Sequence, residues 1–112
     1  MYYFTVRFDV PRGSEDSFER FLNKAKAFWL SQPGVREFHV YGDMLIDWPE
    51  RKIEIAVNDT ESLQRILDSE ERRQLRTEML NYVKHPVWQL VELKGHGDLE
   101  EPISLARAER VT

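Results

Sequence analysis

The sequence predicts an α+β domain on the ferredoxin-like βαββαβ plan. Apolar runs of period two and bulky helical stripes alternate in the order strand, helix, strand, strand, helix, strand. Each helical stripe carries its own start and stop signals. The stretch from Ile55 to Arg76, IAVNDTESLQRILDSEERRQLR, leaves a strand, enters a helix, and meets a second helix start midway. In this plan the strands form one antiparallel sheet in the order 4-1-3-2, with the helices on one face.

Tyr2 to Val10 opens the chain as a strand: Tyr2, Phe4, Val6, Phe8 and Val10 alternate with Tyr3, Thr5, Arg7 and Asp9. Pro11-Arg12-Gly13 ends it, and Ser14 is expected to cap a helix with Glu15 and Asp16 in its first turn, where acids suit the helix dipole. Phe18, Phe21, Leu22, Ala25, Phe28 and Trp29 follow helical spacing up to the stop at Pro33-Gly34. Val35 to Tyr41 reads as the second strand, with Gly42-Asp43 as a bulge before MLIDW. Pro49-Glu50-Arg51 is the turn into KIEIAVN. Asp59 or Thr60 then caps a helix carrying Leu63, Ile66 and Leu67, and Ser69 starts the chain again ahead of Leu75 and Met79. A broken helix is therefore preferred to a continuous one. His85 reads as a helix-end residue and Pro86 as the start of the last strand, PVWQLVEL. Residues 1–94 form the domain, and 95–112 form a polar tail, either a disordered end or an arm whose Ile103 and Leu105 latch onto a partner subunit.

A chain of 112 residues buries roughly 65% of the surface it exposes when unfolded, so oligomerisation would help it. With no cysteine there is no disulfide, thiolate metal site or cysteine nucleophile. There is no long apolar run and no basic-apolar leader, so no membrane span or secretory signal is expected, and the default location is cytoplasmic. The net charge is −4, and basic pairs such as Arg72-Arg73 sit beside acids such as Glu70-Glu71, so no nucleic-acid partner is expected.

The face bearing Phe4, Val6, Phe8, Ile53, Ile55 and Val57 is the natural partner for the helices. The opposite face carries Tyr3, Thr5, Arg7, Asp9, His39, Tyr41, Glu54 and Ala56, joined from the last strand by either Trp88 and Leu90 or Val87, Gln89 and Val91. That mixture suits a protein interface better than open water. Arg7 is placed near Glu54, and near Glu92 if the last strand's phase permits. It serves either as an anchor for an acidic ligand or as an ion pair inside an interface.

PGVREFHVYGDM, then KIEIAVNDTESLQRILDSEERRQL, then PVWQLVEL, resembles the antibiotic-biosynthesis-monooxygenase-like, dimeric α/β-barrel superfamily over about Tyr2 to Leu93. Leu67-Asp68-Ser69-Glu70 occupies the position of that superfamily's helix break. The resemblance implies a homodimer whose two sheets pack face to face. It also implies a pocket for a hydrophobic small molecule between each sheet and its own helices, lined here by Phe18, Phe21, Trp29, Phe38 and Trp48. Haem-degrading members use an Asn on the first strand, a Trp after the third and a His on the second helix; those positions differ here. Members that oxygenate aromatic polyketides need neither metal nor flavin and use polar groups to stabilise a substrate anion. His39, Tyr41, Trp29, Trp48 and Asn58 could supply such groups; His39 is either the general base or, as the preferred reading, a strand histidine hydrogen-bonded at the dimer interface.

His39, Asp43 and Asp47 read as strand and turn residues, so no metal site is expected, and no cofactor is assigned. Two function classes stay open. One is a cofactor-independent monooxygenase acting on a hydrophobic aromatic compound; the other is a non-catalytic dimer that binds a small molecule or regulates.

Overall fold

The computed structural model describes residues 1–45 and 50–95. In chain order the elements are β1 (Tyr2–Asp9), α1 (Glu15–Leu30), β2 (Val35–Gly42), β3 (Glu50–Val57), α2 (Thr60–Leu67), α3 (Glu70–Met79) and β4 (Lys84–Glu92). The sheet runs β2-β3-β1-β4, the expected 4-1-3-2 order read from the other edge, and every pairing is antiparallel. The helix breaks where its second start signal lies. Asp59 accepts from the Ser62 backbone N–H at 2.7 Å, and Ser69 Oγ accepts from that of Arg72 at 3.3 Å. Each cap satisfies a donor that the first turn of a helix leaves free.

Register decides which side chains face the helices. Phe4 lies opposite Ile55 and Leu90, and Val6 lies opposite Ile53 and Trp88. Phe38 and Val40 join the same face through Ile55 and Ile53. The core is built there: Val57, Phe8 and Ile66 are almost wholly buried among the stripes of α1, α2 and α3.

Several boundaries differ from expectation. Glu50 and Arg51 pair with Asp9 and Phe8, so they extend β3 and do not form a turn. β2 stops at Gly42, and Asp43 Oδ1 accepts from the Leu45 N–H at 2.8 Å in the bend that follows. Trp48 and Asp47 lie outside the described residues, as do Ile103 and Leu105 of the tail. Ser14 occupies the N-cap of α1 without a side-chain cap; the Glu15 carboxylate instead accepts from the Gly13 N–H at 2.8 Å. His85 belongs to β4 and not to a helix end. Between Arg7↔Val87 and Asp9↔Lys84 the β4 strand holds one residue more than β1, and His85 takes up this bulge at φ 55°. Glu92 pairs with Tyr2, which puts it out of phase with Arg7.

Candidate ligand site

Phe21, Ala25 and Trp29 stand on one stripe of α1 and look onto the sheet between Phe4 and Phe38. Leu75 and Met79 of α3 close the other side, leaving a cavity with room for about 40 Å³ of water-sized molecules. One water needs roughly 10–15 Å³ of such space, so the core is not solid, and a larger guest requires the helices to part. The lining is almost wholly apolar. Of the side chains expected to line a pocket, Phe21, Trp29 and Phe38 do so. Phe18 lies outside this cavity: it packs edge-on against Phe8, with centroids 5.2 Å apart, and borders a separate depression with Leu22 and Val40.

The mouth is cationic. On α3, Arg72, Leu75, Arg76 and Met79 share one face by helical spacing, so the stripe that buries Leu75 and Met79 also carries two guanidiniums to the cavity. Phe4 and Trp88 stack with centroids 5.7 Å apart. The Arg72 guanidinium lies 5.4 Å from the Trp88 ring and 5.9 Å from Phe4, and Arg76 lies 5.8 Å from Trp88. Burial, and then the neighbouring Arg76 charge, lower the Arg72 pKa from its ordinary value. Among the described residues neither arginine has a carboxylate in ion-pair range; the adjacent Glu70 instead pairs with Arg73, at 4.0 Å. Sequence reasoning missed this pair because Arg72 was read together with Arg73 and the acids beside it. The signal was the i, i+4 spacing of Arg72 and Arg76 around Leu75.

His39, Tyr41, Arg7 and Asn58 are not brought to the cavity. Trp88 and Leu90 face the helices, so β4 turns Val87, Gln89 and Val91 to the opposite face, beside Arg7, Thr5 and Tyr3. On that face His39 is exposed, with Nε2 3.1 Å from Glu37 Oε2. The Tyr41 hydroxyl donates to Glu54 Oε1 at 3.5 Å, and Lys52 Nζ lies 5.0 Å from the Tyr41 ring. Desolvation, and then the Glu54 charge, raise the Tyr41 phenol pKa above its ordinary value. Arg7 and Tyr41 share a shallow surface depression with Arg51 and Lys52. Asn58 is exposed at the end of β3, where its backbone N–H donates to Gly34 O at 2.9 Å. Among the described residues no three His, Cys, Asp or Glu side chains gather as a metal site, and no helix is long and apolar enough to cross a membrane.

Solved structures of known proteins share this overall fold. SnoaB, a cofactor-independent oxygenase from Streptomyces nogalater, superposes with a TM-score of 0.71 at 21% identity, over 89% of this chain and 97% of that one. The fold is that of the antibiotic-biosynthesis-monooxygenase-like proteins. Rv0793 from Mycobacterium tuberculosis matches with a TM-score of 0.73 at 11% identity, covering 87% of this chain and 98% of the other. A structure described as an antibiotic biosynthesis monooxygenase matches with a TM-score of 0.70 at 10% identity, over 83% and 98% of the two chains. At these identities the likeness is one of fold. No protein-family model matches the sequence, and no curated protein matches it either.

Proposed function

We propose that this chain is a small homodimeric, cytoplasmic protein that takes a hydrophobic aromatic compound between its sheet and helices and acts on it as a cofactor-independent monooxygenase. The observation that carries the reading is the apolar, aromatic-lined cavity, found in a fold that SnoaB also has. The chemistry suits such a site. A reduced, electron-rich ring system serves as its own reductant: a ring CH₂ becomes C=O, one oxygen atom of O₂ enters the product, and the other leaves as water. The protein's share is to exclude solvent and hold the substrate's reactive carbanion form in place. A homodimer is supported by the sheet face away from the helices, where Val87 is 62% exposed and Tyr41 46% exposed. A second copy of that face would cover both.

The orientation of His39, Tyr41 and Asn58 favours a second reading. None of them lines the cavity, and its described lining holds no general base. A non-catalytic dimer that binds the same class of compound fits that lining equally.

Oxygen uptake by chelator-treated protein, measured with a panel of reduced polycyclic phenols, separates the two. Uptake above the spontaneous rate, with product gaining one oxygen atom from O₂, is expected of the enzyme. Bound mass in native mass spectrometry without any uptake would establish the binding reading and end the catalytic one.

A further inference from the structure

We infer that Arg72 and Arg76 form an anion subsite at the cavity mouth, so that the ligand is a flat aromatic compound bearing an anionic oxygen group. The inference rests on the cavity being the ligand site, as proposed above. Two like charges stand one helical turn apart, against the ring of Trp88, and repel one another. Arg72 is half-buried there, and among the described residues no carboxylate is in range to offset the pair. The nearby acids do not serve, since Glu70 is engaged by Arg73 and Glu78 by Lys24 at 3.0 Å. The rest of the lining is apolar, so aliphatic side chains at these two positions would pack there without the repulsion. An anionic oxygen between the two forks would satisfy both guanidiniums, because each presents several planar N–H donors. Phe4 and Trp88 hold the Arg72 guanidinium over their rings, and the aromatic lining of the adjoining cavity meets the ring that carries the anion. The subsite therefore selects for charge at one end of the ligand and for aromatic area at the other.

A matched pair of fluorescent probes tests this: anilinonaphthalene sulfonate and its uncharged parent, N-phenylnaphthylamine. The wild-type protein is expected to bind the sulfonate more tightly. The Arg72→Gln/Arg76→Gln variant should weaken the sulfonate by about tenfold or more, as expected for a lost charge-assisted contact, and leave the parent within about twofold. Arg72→Lys/Arg76→Lys, which keeps the charge and loses the fork, should fall between. Ala25→Leu, which fills the cavity, should weaken both probes. Equal binding of the two probes by wild type, or an equal loss of both in the Gln variant, would overturn the subsite and leave the cavity reading standing. Failure of the wild type to bind either probe, or undiminished binding by Ala25→Leu, would overturn the subsite together with the cavity reading. If the Gln variant does not fold, the wild-type preference between the probes decides the matter.

Discussion

Asp59 illustrates how much one side chain can settle in this chain. Its carboxylate caps α2, and the backbone N–H of Ser62 is the main reason its pKa lies below the ordinary 3.8. A carboxyl group with a depressed folded-state pKa contributes stability that is present above the unfolded value. That contribution is lost as pH falls through the folded one. Asp59→Ala should therefore melt at a lower temperature than wild type at neutral pH, with the gap closing as the buffer is taken below 3.8. Melting curves at neutral and acid pH check this, and a gap that stays constant would remove the ionised cap as its cause. Asp59 was legible in the sequence because a cap depends on local spacing alone. Arg72 was not, because its role depends on Trp88, which is brought to it by a strand sixteen residues further along the chain.

At the scale of elements, the turn at Pro33-Gly34 joins three of them. Gly34 sits at φ +90°, its carbonyl accepts from the Asn58 N–H at the end of β3, and a Cβ there would stand 2.5 Å from Ser62 Oγ on α2. Gly13 shares the positive φ, at +89°, but has nothing within 4 Å of where its Cβ would be. A left-handed backbone costs an L-residue roughly 1–2 kcal/mol, so Gly13→Ala should lose about that much. Gly34→Ala should lose more, because Ser62 is buried and must also shift. Chemical denaturation of the two variants compares them directly. Equal losses would mean that Ser62 moves aside freely. The stop after α1 was readable from the dipeptide. The tie to α2 was not, since it requires knowing that β3 returns alongside β2.

The whole molecule has one sheet face covered by helices and one face bare. The bare face carries Val87 and Val91 at one edge, beside Arg7 and Tyr3, and Tyr41 and His39 at the other, and an isolated chain leaves Val87 62% and Tyr41 46% exposed. Packing this face against a second copy would bury them. Val87→Asp should then shift the protein from dimer to monomer in sedimentation analysis, by at least tenfold in dissociation constant, because the interface would have to desolvate a carboxylate in place of apolar area. A dimer unaffected by Val87→Asp would put the interface elsewhere. Strand alternation assigned most of this face correctly from sequence. The phase of β4 stayed open, because Pro86 and the bulge at His85 hide which of Val87 and Trp88 turns inward.

By itself the sequence determined the order of the elements, the break between α2 and α3, the strand order and the two-faced sheet. The elements, the break and the alternation follow from periodicity and capping, which act over a few residues, and the strand order from the βαββαβ plan that this succession of elements matches. Only the tertiary structure decided that Trp88 faces the helices and that Phe18 is core while Phe21 and Trp29 line a cavity. It also decided that Arg72 and Arg76 meet an aromatic pair at the mouth of that cavity. Each of these turns on register between strands or on packing between helix and sheet, and therefore on residues far apart in the chain.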